Sequence, residues 1–282
     1  MKLTPVRTVG LIGGTGRTGT QFAKLFRKQG YRVTVTGQST SKRNAEVICR
    51  SDIVLFALPL SDAADLMRSE LRVATRKDQL ILDVSSLKCR EVSAMLTAGG
   101  EVIGMHPLFG PSTDPTGERI VLCPARASKE TVVSLQALLR RMGMKTIVLT
   151  AQKHDELMAT VQVIPHLKSL LIADVLRIRK TDLSEIMRTC TPTYEMEFNT
   201  VARFLDDHHD LYIPILFRNP ETKKILSIMK KIIDGYLVIA ESGDLASAER
   251  NYLACKKFCR PRLKRARSHS EACIRTLLSL SR

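Results

Sequence analysis

Val9–Gly19 reads VGLIGGTGRTG, and this stretch decides the fold. A short apolar run ends in glycines, and an amphipathic segment from Thr20 to Lys28 follows. That order is strand, tight turn, helix. Gly14, Gly16 and Gly19 supply the spacing G-x-G-x-x-G. The first glycine permits the turn, the second lets backbone approach a pyrophosphate, and the third lets helix pack on strand. The helix N-terminus adds unpaired N–H groups and partial positive charge, with Thr15 and Arg17 beside it. The spacing predicts dinucleotide binding.

Outward from this loop, short apolar runs alternate with helical patterns. Strands are expected at Thr8–Gly13, Arg32–Thr36, Ile53–Leu58, Gln79–Val84, Val102–His106, Ile120–Cys123 and Thr146–Leu149. Helices fit Thr18–Lys28, Asp62–Leu71, Glu91–Ala98 and Lys129–Met142. Alternating β and α with continuous apolar strands predicts a parallel, doubly wound α/β sheet, with ligands at the carboxyl ends of the strands. Gly13, Gly16 and Gly19 also fit the G-x-x-G-x-x-G of short-chain reductases, so the loop alone does not choose a subfamily. Near Thr150 the pattern changes to helices only. One long helix is expected from Gln152 to Ile178, kinked at Pro165. Others fit Leu183–Arg188, Tyr194–Leu205, Glu221–Ile239, Leu245–Phe258 and His269–Leu280. The domains are therefore read as 1–150, dinucleotide-binding, and 151–282, all-helical with a basic tail.

Composition bounds the class. The 282 residues suffice for two domains, and 44% hydrophobic content is ordinary for a globular chain. No apolar run reaches the roughly 18 to 20 residues of a membrane span. The N-terminus leads straight into the first strand, leaving no room for a signal peptide. Seven scattered cysteines without C-x-x-C suggest reduced thiols and a cytoplasmic setting. Cys255 and Cys259 read as packing residues, and no metal site is expected. The net charge of +16 suits polyanionic small molecules. Basic residues fill seven of the twelve positions from Lys256 to Arg267, but no recognition motif or interleaved aromatics accompany them, so nucleic acid is not an expected partner.

The second strand bears on the cofactor. NAD-binding folds end it with Asp or Glu for the ribose 2′-OH. Here YRVTVTG ends in Gly37, and no carboxylate follows before Glu46. Gln38, Ser39, Thr40, Ser41, Lys42 and Arg43 come instead. A carboxylate repels a 2′-phosphate, whereas hydroxyls, Lys42 and Arg43 hold one. The expectation is NADP over NAD.

Two strand ends carry unusual residues, ILDVSSLK (Ile81–Lys88) and GMHPLFGP (Gly104–Pro111). His106 ends a strand where a nicotinamide would lie, as either a general acid/base or a structural hydrogen bonder. His154 opens a helix beside Asp155 and reads as structural. His166 follows Pro165 and can turn into a cleft. Arg203 lies in the apolar helix EMEFNTVARFL and needs an anionic partner.

These blocks, with DVSSLK, GMHPLFGP, KHDELMATVQVIPH and TPTYEMEFNTVARFL in this order across about residues 8–240, resemble the prephenate dehydrogenase family of tyrosine biosynthesis. The resemblance implies an N-terminal Rossmann domain and an all-α C-terminal domain that dimerises. It implies oxidative decarboxylation of prephenate to 4-hydroxyphenylpyruvate, with hydride passing from ring C4 to the nicotinamide. Carried over by position, His106 takes the hydrogen bond of the 4-hydroxyl and Ser86 orients that histidine and the nicotinamide. Arg203 binds the substrate carboxylate, and His166 lies near the pyruvyl side chain. Ser112 stands where many members carry an acid, and Glu195 where some carry arginine. Arogenate and 4-amino-4-deoxyprephenate therefore stay open as substrates. No chorismate mutase segment is expected before residue 8, nor a regulatory domain after the helices. Two rival readings are another NADP reductase of this plan, acting on an imine or ketoacid, and a non-catalytic NADP-sensing protein.

Overall fold

The computed structural model describes residues 8–206 and 209–280. Residues 1–7, read above as leading straight into the first strand, lie outside the described residues. The chain divides into two compact units, 1–162 with 210–220, and 163–209 with 221–282. The first unit thus runs past Thr150 and takes in a helix from later in the chain.

In the first unit the elements are β1 (Thr8–Ile12), α1 (Arg17–Lys28), β2 (Arg32–Thr36), a 3-10 turn (Gln38–Arg43), α2 (Asn44–Arg50) and β3 (Ile53–Phe56). Then come α3 (Ala63–Ala74), β4 (Leu80–Asp83), α4 (Cys89–Met95), β5 (Glu101–Pro107), β6 (Arg119–Arg126), α5 (Lys129–Arg141), β7 (Lys145–Val148) and α6 (Ala151–Met158). The seven strands form one sheet in the order β2-β1-β3-β4-β5-β6-β7. Strand residues alternate between faces. Val9, Leu11, Ile53, Leu55, Leu82 and Met105 join Phe22 and Phe26 of α1 and Leu135 and Leu138 of α5. Ile12, Val54, Phe56, Ile81 and Val102 face Val47, Met67 and Met95 from α2, α3 and α4. Both faces are covered, which is why the strands read as unbroken apolar runs. Each fully buried phenylalanine is worth about 1.5–3 kcal/mol.

The expected parallel order holds from β1 to β5, but β6 runs antiparallel to β5 and carries β7 with it. The connection explains the reversal. Residues 108–118 hold no helix, and a parallel return needs a crossover of a dozen residues or more. From β6 to β7, α5 supplies such a crossover. β1 pairs β2 on one side and β3 on the other, so the chain diverges there and opens a crevice at the carboxyl ends.

After α6 comes a π-helical turn (Ala159–Val163), then α7 (Ile164–Ile178). Ala151–Ile178 is one continuous helix, as expected, and its π-helical turn lies just before Pro165, where the proline interrupts the regular hydrogen-bond ladder. By length and composition, the helix Ala151–Ile178 is long and apolar enough to cross a membrane, the mean hydropathy of its most apolar 18-residue window being 1.3. Counting uninterrupted apolar runs overlooked it, because polar residues such as His154, Asp155 and Lys168 interrupt it. The second unit continues with α8 (Leu183–Thr189) and α9 (Pro192–Asp206). α10 (His209–Arg218) returns to the first unit, and α11 (Thr222–Ser242) and α12 (Leu245–Leu280) complete the second. α12 is one helix through Pro261, where two were expected. All seven cysteines are unpaired thiols, and Cys255 and Cys259 lie exposed on α12 rather than packed.

Candidate active site

The glycine loop joins β1 to α1 at the crevice. Gly13 has φ +77, and a Cβ there would stand 2.4 Å from the Ala57 carbonyl oxygen, so it is the left-handed residue of the turn. The sequence reading gave that role to Gly14, which instead lies tight under Val35. A Cβ on Gly19 would meet the Cα of Gly14 at 2.5 Å, which is how α1 closes on β1. In front of Gly16, among the described residues, only the Gly13 carbonyl oxygen comes within 4 Å of such a Cβ, at 3.5 Å. The N-cap of α1 is Gly16, which has no side chain to cap the helix. An open face at the second glycine and a glycine N-cap fit a dinucleotide pyrophosphate. Thr15 and Arg17 are exposed at this loop, and Gln38, Ser39, Lys42 and Arg43 are exposed on the turn after β2. Arg43 also pairs with Glu46 at 3.6 Å.

At the ends of β4 and β5 the structure gathers groups that sequence reading left apart. His106 points to the same face of β5 as Gly104. Its Nδ1 lies 2.9 Å from His154 Nε2, and His154 Nδ1 lies 2.7 Å from Asp155 Oδ1. All three residues are buried. The Asp155 carboxylate also accepts the N–H groups of Lys88 and Cys89 at 2.9 Å each, at the start of α4. Asn219 donates to the Asp155 carbonyl at 2.9 Å. Burial raises the Asp155 carboxyl, but the bonds from His154 and from Cys89 and Lys88 outweigh it and hold it below the ordinary range. A carboxylate only accepts, so His154 Nδ1 donates. In a neutral imidazole Nε2 then accepts, and His106 Nδ1 donates to it. His106 Nε2 is left as a lone-pair acceptor.

Beneath this line lies a buried ion pair. Lys88 donates to Asp83 Oδ2 and, at 2.8 Å, to the Met105 carbonyl; Asp83 Oδ1 accepts the Met105 N–H at 3.2 Å. The strand is thus gripped one residue before His106. Gly104 makes the passage: a Cβ there would lie 3.1 Å from Lys88 Cδ and 2.7 Å from Val92. Burial pushes the His106 imidazole well below its ordinary value, with further pushes from His154 and the Lys88 cation. Glu91, buried one turn into α4, has its carboxyl raised to about 7 by burial, against the pull of Lys88.

Ser86 is half-buried in the turn between β4 and α4. The partner on His106 Nδ1 is His154, not Ser86. In the second unit, His166 on α7 stacks on Phe204 of α9, centroids 5.2 Å apart and planes 19° apart, and burial lowers its pKa. Arg203, next to Phe204, is exposed. Glu197, six residues before Arg203 on α9, pairs instead with Lys168 at 2.8 Å.

Two family models match the chain: prephenate dehydrogenase, nucleotide-binding domain, over residues 40–148, and prephenate dehydrogenase, dimerization domain, over residues 150–244. The chain belongs to the prephenate dehydrogenase family. The glycine loop precedes the matched residues, and α12 follows them. Among curated relatives is a probable arogenate/prephenate dehydrogenase of Methanocaldococcus jannaschii, 29% identical, covering 77% of this chain and 53% of that protein. A probable prephenate dehydrogenase [NADP(+)] of Schizosaccharomyces pombe is 23% identical over 89% of this chain and 62% of that protein. The chain therefore spans between about half and two-thirds of these relatives. In fold it resembles the prephenate dehydrogenase of A. aeolicus, solved with hydroxyphenyl propionate and NAD+, at TM-score 0.72 and 17% identity, covering 93% of this chain and all of that one.

Proposed function

We propose that the chain is an NADP-preferring prephenate dehydrogenase, which oxidatively decarboxylates prephenate to 4-hydroxyphenylpyruvate. The observation that carries this is the line Asp155–His154–His106, which leaves His106 Nε2 as a neutral proton acceptor at the end of a central strand. That atom accepts the hydrogen bond of the substrate 4-hydroxyl. The nicotinamide, when bound, supplies the hydride acceptor for ring C4. His106 takes the hydroxyl proton as the C4 carbonyl forms, and the His154 hydrogen bond keeps the ring in place as it does so. The bond from the ring to its carboxylate then breaks, its electron pair enters the ring, and CO2 leaves. His106 returns the proton to the oxygen of the aromatic product, so no net proton is released. Lys88 disfavours a cation on His106 beforehand and so keeps the base neutral.

Ser86 is proposed to touch the nicotinamide side of this site. Arg203 is proposed to bind a substrate carboxylate by a bidentate fork, with His166 near the side chain. The loop face at Gly16 is proposed to take the pyrophosphate, with Gly14 and Gly19 allowing the close packing that shapes the loop; Ser39, Lys42 and Arg43 are proposed to hold a 2′-phosphate. The absence of a carboxylate from Gly37 to Ala45, and a relative named for NADP(+), support that cofactor. A homodimer through the helical unit is supported by the name of the matched domain and by Ile232, Ile233, Tyr236, Leu237 and Val238, all exposed on α11. The test is reduced-nicotinamide absorbance with NADP or NAD, offered prephenate, arogenate and 4-amino-4-deoxyprephenate in turn. Turnover of prephenate is expected. Turnover of another substrate renames the activity, and none with any removes it.

A further inference from the structure

Gly37 closes β2 at the position where a ribose-binding carboxylate would stand. Its backbone is extended, φ −143 and ψ −170, a conformation open to any residue. Conformation therefore does not explain the glycine; space does. A Cβ on Gly37 would lie 2.2 Å from Thr15 Oγ1, 2.7 Å from its Cγ2 and 3.0 Å from its Cβ. Rotating Thr15 gives no escape. Its two heavy γ atoms occupy two of three staggered positions, and both of those positions crowd Gly37. Every rotamer keeps at least one γ atom in a crowded position, and the Thr15 Cβ does not move. The Gly37 N–H is also taken, by Thr40 Oγ1 at 2.9 Å, which folds the next residues into the 3-10 turn. That turn displays Gln38, Ser39, Ser41, Lys42 and Arg43 to solvent.

We propose that Thr15 and Gly37 are a reciprocal specificity pair: the Thr15 side chain bars any side chain, and so any carboxylate, from position 37, and thereby admits a phosphorylated ribose to this loop. The proposal rests on the NADP reading above and adds the residue that enforces it. A carboxylate at 37 accepts both hydroxyls of an unphosphorylated ribose and repels a 2′-phosphate. Removing Thr15 opens the space, and only then does an acid at 37 become tolerable. A side chain at position 37 is therefore predicted only where position 15 has lost its γ atoms.

The test is a mutant cycle read by thermal unfolding without ligand and by equilibrium binding of NADPH and NADH to the full chain. Gly37→Ala isolates the steric part. It is expected to lower Tm, and Thr15→Gly in the same chain to restore it. Gly37→Asp alone is expected to bind both cofactors poorly, whereas Thr15→Gly with Gly37→Asp is expected to prefer NADH by about tenfold or more. An unshifted Tm in Gly37→Ala overturns the pair, as does a double variant that binds NADH no better than Gly37→Asp alone. If the unaltered chain binds NADH as tightly as NADPH, the NADP reading falls; the Tm cycle still decides whether the two positions are coupled.

Discussion

His106 Nδ1 stands 2.9 Å from His154 Nε2 across 48 residues of chain, and the Asp155 carboxylate behind His154 fixes the direction of that hydrogen bond. The proton on Nδ1 leaves Nε2 of His106 as the acceptor, which is the form a base needs before it meets a hydroxyl.

His106→Asn is expected to lower kcat by about 10²- to 10⁴-fold while substrate binding is largely kept. Steady-state kinetics with binding measured separately checks it. Near-normal turnover removes His106 from the reaction.

His154 acts through His106 and is a positioning residue. His154→Leu should cost at least about tenfold in kcat, and His154→Gln, whose amide oxygen accepts from His106, should keep more. The pH profile distinguishes this from a packing role. His154 helps hold His106 below its ordinary value, so its loss lets the His106 pKa rise. The protonated, inactive form then persists to higher pH, and the acid limb of kcat/KM moves up.

Glu91 carries a raised carboxyl pKa of about 7. Unfolded, it ionises near the ordinary carboxylate value. Its favourable contribution is therefore complete below about pH 4.5 and is lost as pH rises through about 7. Glu91→Gln is expected to raise Tm at about pH 8.5 and to change it little at about pH 5. Thermal scans at the two pH values check this, and equal shifts at both contradict it.

Arg203→Ala is expected mainly to raise KM, by about 10- to 150-fold, since a lost charged hydrogen bond costs about 1.5–3 kcal/mol. The residue is exposed, so Tm should scarcely move. A large Tm loss with KM unchanged makes it a structural partner instead.

The α11 face predicts association. Ile232→Glu with Leu237→Glu places charges on a surface with exposed Ile233, Tyr236 and Val238. The native mass is expected to fall from two chains to one, measured by light scattering. An unaltered dimer moves the interface elsewhere.

Strand positions were legible because both faces of the sheet are covered, which turns each strand into an apolar run. The direction of β6 was not, because it depends on whether residues 108–118 contain a helix. α10 escaped notice because Pro214 interrupts its pattern, and α12 was cut in two because Pro261 reads as a break. At the site, His106, the glycine loop and the missing carboxylate after β2 could be read locally. His154 and Asp155 could be seen but not placed, since their partners lie on β5 and α4. Asp83 and Lys88 lie in the ILDVSSLK stretch that stood out, but nothing in it showed that the two pair beneath β5. Gly37 was read for what it lacks, whereas its reason lies with Thr15.

β5 lies between β4 and the reversed β6, with Val121 opposite His106. An interior strand end exchanges its amides only when the sheet itself opens. His106, the proposed proton acceptor, is thus a fixed landmark, not a group recruited by an arriving ligand. Evolution toward a different side chain on the substrate has little freedom at positions 101–107, because shifting this strand disturbs the core on both faces. Change in substrate preference then falls to residues that hold the rest of the substrate, while the end of β5 stays where the sheet fixes it.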